Sequence, residues 1–336
     1  MADLQIDASV PGLDADPADL AGAAEAAGFD GIWAPELDFD PFLPLPIVAE
    51  HTTDIELGTR IATAFTKSPM VLALQGWDLQ RYSDGRFVLG IGTQVKGHNE
   101  RRFSVDFEWE RPGPRLREVV ESITHIWDVF RGEADELDYD GEFYQFSLLP
   151  EAFNPGPLDA GPPDIWVAGV NEYNLKMAGG TADGLCMHVF NTPEYTEKVI
   201  EPTVRAGAEQ MDRPFEEVTL SASPFVITGD ESRREARREE VRSRIAFYGS
   251  TRTYHDVLEL HGWEDVGMEL HELSKEGKWG EMHGLVTDEM VDAFAVEAPP
   301  EELADEIRDV YGGVADRVQL EFDPTEPFWE DVVGAL

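Results

Sequence analysis

The stretch Gly85-Arg-Phe-Val-Leu-Gly-Ile-Gly-Thr-Gln-Val-Lys-Gly-His-Asn-Glu-Arg-Arg-Phe103 joins a short apolar run, Phe87 to Ile91, to a glycine-bearing loop that carries Lys96, His98, Arg101 and Arg102. An apolar run of this length, bounded by turn residues, reads as a buried strand. The glycines behind it let backbone N–H groups approach a ligand at a helix start. The basic cluster stands out because the chain around it is acidic. The same pattern of strand followed by turn recurs on both sides.

Upstream, Leu4 to Val10 reads as a strand. Asp16 caps a helix that has Pro17 at its first position and stops at Gly28, and Phe29 to Ala34 returns as a second strand. The unit repeats as a helix from Pro41 to Glu50, a strand from Ile55 to Ile61, a helix from Met70 to Arg81 and the strand from Arg86 to Ile91. Downstream, Leu116, Val119, Val120, Ile123, Ile126, Trp127 and Phe130 mark a helix over 115–130. Tyr139 to Phe146 reads as a small hairpin and Pro150 to Pro163 as a long loop. Strands follow at Asp164–Val170, Ala182–His188, Val218–Ile227 and Val314–Phe322, with helices at Glu172–Ala178, Pro193–Met211 and Pro299–Tyr311 between them. In the helix from Glu231 to Phe247, Glu231 with Arg234, Glu235 with Arg238, Glu239 with Arg242 and Glu240 with Arg244 can pair along a solvated face. Strand–helix alternation specifies a parallel sheet covered by helices, and about eight strands is the number that closes a TIM (β/α)8 barrel. A doubly wound open sheet is the other fold compatible with this order. The expected organisation is one barrel domain over 1–336, with insertions after strands four and seven, at about 93–114, 131–163 and 250–284.

The 336 residues include 68 Asp plus Glu against 26 Lys plus Arg, a formal charge of −42, yet 42% of the chain is hydrophobic. Apolar residues and eight Trp are spread along the whole length, so the acidity belongs to the surface of a folded protein and not to a disordered tail. Such a surface repels nucleic acid and anionic membranes. With Cys186 alone there is no intrachain disulfide and no cysteine-based metal site, and eight His without a HExxH pair give no metal signature. The N-terminus lacks a leader pattern and no apolar run has the length of a membrane span, so a cytoplasmic protein is expected.

In a barrel, reactive groups follow the strand C-termini. The exits offer Glu36 and Asp38 after the second strand and Thr59, Arg60, Ile61 and Thr63 after the third. Gly92, Thr93, Gln94, Lys96 and His98 follow the fourth, Ala168, Gly169, Val170 and Asn171 the fifth, and His188 the sixth. Each has a plain alternative: glycines after strands make turns, Glu36 and Asp38 can be surface carboxylates, His188 can be a core residue, and Cys186 is a small core residue. The basic cluster can pair with Glu100, Asp106 and Glu108. No dinucleotide, Walker or Gly-x-Ser-x-Gly motif is present.

Taken in order, several phrases resemble one family: Ala27-Gly-Phe-Asp-Gly-Ile-Trp33, Asp40-Pro-Phe42, Ile55-Glu-Leu-Gly-Thr59, Lys67-Ser-Pro-Met-Val-Leu-Ala73, Ser83 to Gly92, Gly141-Glu-Phe-Tyr144, Pro163-Asp-Ile-Trp-Val-Ala-Gly169, Ala178-Gly-Gly-Thr-Ala-Asp-Gly184 and Pro299-Pro-Glu-Glu-Leu-Ala304. They look like the luciferase-like monooxygenase superfamily, in the branch of coenzyme F420-dependent oxidoreductases, and Gln94 to Phe103 with Ile245 to Tyr248 resemble members that include haloarchaeal ones. The resemblance implies a TIM barrel, usually a homodimer, that exchanges a hydride between deazaflavin C5 and a small organic substrate. FMN as cofactor of a monooxygenase, or a non-catalytic flavin-binding barrel, are the alternatives. It also implies a cis peptide at Arg60-Ile61, a phosphate site at Ala168, Gly169 and Val170, and Gly92, Thr93 and Gln94 near the ring or tail. Lys96, His98 and the two Arg would meet an anionic cofactor. Where some relatives have Asp-His after the second strand, this chain has Glu36, Leu37 and Asp38, which leaves Glu36, and less directly Asp38, as the proton-handling group.

An evenly acidic surface repels itself, and salt near molar shortens the Debye length to about 3 Å. Urea unfolding in low and in molar KCl should therefore show higher stability at high salt; equal stability in both would refute a salt-adapted surface.

Overall fold

A computed structural model of the chain describes residues 4–10, 12, 16–105, 109 and 111–336. Among the described residues one parallel sheet holds the short strand Ala62–Thr63 and the eight strands that close the ring: β1 Gln5–Ser9, β2 Gly31–Ala34, β3 Glu56–Thr59, β4 Phe87–Gly92, β5 Asp164–Ala168, β6 Gly184–Cys186, β7 Thr219–Ala222 and β8 Arg317–Leu320. Neighbours in sequence pair around the ring, β3 pairs with β4 through Leu57↔Phe87, and β8 returns to β1 through Gln5↔Arg317 to Ala8↔Leu320. That last pairing decides for the TIM barrel over the open sheet.

Helices cover the outside. Pro17–Ala27 starts at Asp16, whose carboxylate accepts from the Ala18 N–H, and ends at left-handed Gly28, as its sequence requires. Pro112–Arg131 buries Leu116, Val119, Val120, Ile123, Ile126, Trp127 and Phe130. The stretch 193–210 is helical but contains a π turn at Thr196–Ile200, next to Pro202, which has no N–H to continue the ladder.

Three features depart from the sequence reading. Val218–Ile227 divides: β7 stays in the barrel, while Phe225–Ile227 leaves it to pair with Ala295–Glu297. The polar loop after β4 holds a short helix, Lys96–Arg101. The expected hairpin over Tyr139 to Phe146 forms, as Tyr139–Asp140 with Gln145–Phe146, and is tied to the barrel by Glu118, whose carboxylate accepts from the N–H groups of Glu142, Phe143 and Tyr144. The arginines of Glu231–Gly249 follow the expected scheme only in part: Arg242 pairs with Glu239 at 3.2 Å as expected, and Arg237 pairs with Glu240 at 2.8 Å, but the arginines also reach beyond the helix. Arg238 reaches Asp292 and Glu297, Arg242 reaches Asp288, Arg233 reaches Glu326, and Arg237 and Arg244 meet Glu321. The helix face is thus a bolt to the β8 exit and to the segment 288–297, because carboxylates on those elements lie opposite it.

The barrel interior is built in layers. At its closed end Arg317 donates to Asp7 at 2.6 and 3.0 Å, and its guanidinium also pairs with Glu56 at 2.6 Å. Arg317 is 3% exposed and Asp7 fully buried. Burial opposes charge on the guanidinium, but Asp7, Glu56 and Asp30 outweigh it and push its pKa further up. Above it lie Trp33 and Trp166, 5.0 Å apart, with the Arg317 guanidinium 5.5 and 5.6 Å from their rings. Gly58 leaves room for this plug, since a Cβ there would collide with Trp33 and the Val88 carbonyl. Removing one partner of a buried ion pair costs about 3–5 kcal/mol. Asp7→Asn should lower the urea-unfolding free energy by about that amount in molar KCl, and a loss below about 1 kcal/mol would contradict the layered interior.

Candidate functional site

The site lies at the C-terminal mouth, where the strands deliver their exits. At β3 the Thr59 hydroxyl donates to the Gly90 carbonyl at 2.6 Å, so this predicted residue is engaged in the barrel wall. A Cβ at Gly90 would overlap the Thr59 carbonyl, which is why β4 carries glycine where β3 bends in. The Arg60-Ile61 peptide is cis. The Ile61 side chain lies beside Gly92 and Ala168, where a Cβ on Gly92 would sit 3.0 Å from Ile61 Cδ1 and 3.1 Å from Ala168 Cβ. Beyond it, Ala62–Thr63 pairs with the end of β4, and the buried Thr63 hydroxyl has no hydrogen-bond partner among the described residues.

Glu36 sits behind that wall. Its Oε2 accepts from the Thr63 N–H at 2.7 Å and from Lys67 Nζ at 3.0 Å, in a pair whose side chains are 8% and 14% exposed. The carboxylate therefore locks the β2 exit to the β3 exit and keeps Oε1 clear of those bonds. Asp38 lies exposed on the loop, apart from Glu36.

The basic cluster spreads out. Lys96 pairs with Glu100 at 3.5 Å and is more than half exposed, and His98 and Arg101 are exposed on the same helix. Arg102 donates to the Leu37 carbonyl and so fastens this helix to the β2 exit. Asp106 and Glu108, the other candidate partners, lie outside the described residues. Behind the helix, Asn99 is fully buried and donates to the carbonyls of Thr93 and Val95. Gln94 takes a left-handed backbone, with its side chain accepting from the Val95 N–H.

Across the mouth, Gly169, Val170 and His188 line one cavity with Asn191, Tyr195 and Tyr254. The helix Glu172–Thr181 begins there, capped by the Asn171 side chain, so its first N–H groups face the β5 exit. His188 stacks on Tyr254 at 4.4 Å and meets the edge of Tyr248 at 5.0 Å. Its Nδ1 accepts from the Phe190 N–H at 3.0 Å, which places the ring proton on Nε2. Burial lowers its pKa to about 4, so the ring is neutral near pH 7.

The segment 250–284 supplies Tyr254 as a wall of this cavity. Tyr254 and Asn191 were not singled out from sequence, since nothing in a lone Tyr or Asn sets it apart. Ser221 in β7 and Ser223 just past its end, both of which accept from the Arg60 guanidinium, were also missed. Among the described residues no group of three His, Cys, Asp or Glu is placed to hold a metal ion, and no helix is long and apolar enough to cross a membrane.

The sequence profile of luciferase-like monooxygenases matches residues 15–317. The chain belongs to this enzyme family. An "Uncharacterized protein" of Mycobacterium tuberculosis is 43% identical over 316 residues, 94% of this chain and 92% of that one. The 5,10-methylenetetrahydromethanopterin reductase of Archaeoglobus fulgidus is 28% identical over 297 residues, 85% of this chain and 83% of the relative. Among solved structures, the coenzyme F420 dependent tetrahydromethanopterin reductase of Methanopyrus kandleri superposes with a TM-score of 0.76 at 23% identity, covering 99% of this chain and 97% of that one.

The geometry fixes how His188 titrates. Its folded pKa lies below the ordinary 6.5, so the unfolded chain binds the extra proton as pH falls, and the stability from keeping the ring neutral is present above 6.5 and lost towards about 4. NMR of the labelled imidazole should show a midpoint near 4, and a midpoint at 6 or above would refute the packing described.

Proposed function

We propose that the enzyme is an F420-dependent oxidoreductase that exchanges a hydride with a small organic substrate over the barrel mouth. The observation that carries this reading is the convergence, in one cavity, of the N–H turn at Gly169 and Val170 with the neutral, aromatic-stacked His188. A turn at a helix start suits a phosphodiester, and an uncharged aromatic wall suits a flat heterocycle. The buried, unpartnered Thr63 Oγ1 and Asn191 Oδ1 call for hydroxyl or ring N–H groups, as a deazaflavin and its ribityl chain provide. F420-dependent relatives and the fold of the Methanopyrus reductase add support.

In this reading Ala168, Gly169 and Val170 hold the phosphodiester, and Ile61 with Gly92 forms the floor under the ring. Thr93 and Gln94 flank it, and Lys96 and His98 meet the tail carboxylates from the rim. When bound, the deazaflavin supplies the hydride-carrying carbon. The chain's own contribution is to orient that carbon, exclude water, and handle the substrate proton at Glu36, whose Oε1 is clear of the Thr63 and Lys67 bonds. Asp38, exposed, serves at most as a relay to solvent. The whole chain acts as one barrel unit, a homodimer in a salt-rich cytoplasm of haloarchaeal type, consistent with its charge of −42.

Fluorescence titration in molar KCl should show F420 binding, followed by turnover with alcohols, aldehydes or enones; FMN binding without F420 binding defeats the proposal, and tight F420 binding without turnover makes the protein a carrier. Glu36→Gln should lower turnover about 100-fold while F420 affinity stays within about threefold. Unchanged turnover removes Glu36 from the chemistry.

A further inference from the structure

The exits of β8, β1 and β2, with the segment that follows β7, surround a second cavity of about 570 Å³. That volume falls within the range of about 300–1,000 Å³ usual for small-molecule sites. Around the ring β1 lies four strands from β5, so this cavity opens on the side of the mouth away from the Gly169–Val170 turn. Among the described residues it shares no lining side chain with the cavity at His188. Part of its wall is apolar. Val10 and Pro35 contribute to it, as does Leu37, an apolar side chain left 61% exposed. Phe322, Phe328 and Trp329 add three rings, with Trp329 5.0 Å from Phe328 and 6.1 Å from Phe322.

The polar part of the lining is acidic. Among the described residues it holds four carboxylates, Glu240, Glu321, Asp323 and Glu326, against two guanidinium groups, Arg233 and Arg237. Both arginines are already matched, Arg233 by Glu326, and Arg237 by Glu321 and by Glu240 at 2.8 Å. Arg244 reaches Glu321 from outside the lining at 2.5 Å, which still leaves the carboxylates in excess. Asp323 forms no ion pair among the described residues. Its carboxyl accepts from the Thr325 hydroxyl at 2.7 Å and N–H at 2.9 Å, and these bonds hold its pKa below the ordinary range, so it is charged near pH 7. An anion entering the cavity would find no free guanidinium and would meet an unmatched carboxylate. A cation would find carboxylate lone pairs and the faces of three rings. Two lining residues also carry buried polar atoms with no partner among the described residues, Thr228 Oγ1 and Trp329 Nε1. An indole N–H without a partner calls for an acceptor oxygen.

We propose that this cavity binds the non-reacting part of the substrate, and that the substrate is a cationic amphiphile: an ammonium or guanidinium group on an aromatic or aliphatic body that also carries a hydroxyl or carbonyl oxygen. The ion pairs of Arg233 and Arg237 fasten the helix 231–249 to the β8 exit, and the acidic, ring-lined space beside them is what the ligand fills. Pro35 and Leu37 flank Glu36 in the chain, so the body of the ligand lies beside the β2 exit that carries this carboxylate. That the occupant is the substrate rests on the reading of the mouth as a site of hydride transfer; that the cavity takes a cation of this class rests on its own lining. The cationic group selects and orients, and no bond to it forms or breaks. Carboxylates and phosphate esters are the disfavoured class.

The test is a ligand-observed NMR titration of the cofactor-free protein in molar KCl, with phenethylamine, phenethyl alcohol and phenylacetate as probes, for wild type, Glu240→Gln and Ala236→Trp. Wild type should bind the amine about tenfold more tightly than phenylacetate, with the alcohol between them. Glu240→Gln removes one lining carboxylate while Arg237 keeps Glu321, and it should cut amine affinity about threefold with the alcohol unchanged. Ala236 lines the cavity from an exposed position on the helix 231–249. Ala236→Trp fills the space and should weaken all three probes about tenfold, while F420 affinity, read by fluorescence, stays within about threefold. No binding of the amine, no preference over phenylacetate, equal loss of amine and alcohol in Glu240→Gln, or undiminished amine binding in Ala236→Trp overturns the proposal. Loss of F420 affinity in Ala236→Trp would put the cofactor in this cavity and overturns it too. Should Ala236→Trp not fold, wild type and Glu240→Gln decide. Failure of F420 to bind the wild-type protein defeats the hydride-transfer reading and leaves the amine titration to judge the cavity; F420 binding without amine selectivity defeats this proposal alone.

Discussion

The interior ion pair of Arg317 with Asp7 is the constraint on which the barrel depends. A parallel barrel of eight strands has a lumen that side chains must fill. Here the filling is a charged pair roofed by Trp33 and Trp166, not a stack of aliphatic layers. The pair joins β8 to β1, the seam where the sheet closes. Glycines at 31, 58 and 184 lie where a Cβ would strike Asp7, Arg317 or the two tryptophans. This closed end is buried, with Asp7, Arg317, Trp33 and Trp166 each at most 3% exposed.

The fold was legible from sequence because the strands are short runs ended by glycine or a polar turn, and the first helix carries its own start and stop in Asp16, Pro17 and Gly28. What escaped was what depends on distant partners. The Arg-rich helix looked self-paired, since its Glu and Arg alternate at helical spacing; Glu239 with Arg242 does pair, but carboxylates of residues 288–297 and 321–326 claim its arginines as well. The division of 218–227 into two strands was hidden because Pro224 interrupts a run that is apolar on both sides. The polar inward residues, Asp7, Ser221, Arg317 and Gln319, were visible in principle as polar positions inside strands, since an inward polar residue in a barrel must find a partner across the lumen.

The candidate site was legible in its backbone and less so in its side chains. The turns after β4 and β5 could be located because glycine following a strand is a local signal. Which charged groups face the mouth could not, because direction depends on side chains several strands away. Lys96 turns to Glu100, Glu36 turns to Lys67, and Arg60 runs inward to Ser221. The opening stretch accordingly divides in two: Phe87–Gly92 is a barrel strand, and Lys96–Arg101 is a short helix that Arg102, just after it, fastens to the β2 exit.

The account comes together at one location, a mouth with an N–H turn on one side and a neutral stacked imidazole beside it. The most direct measurement is a crystal structure of the enzyme with oxidised F420, grown in molar salt. The account predicts the phosphodiester at the Gly169–Val170 turn and the ring over Ile61. A phosphodiester bound elsewhere, or a ring lying outside the mouth, would contradict it.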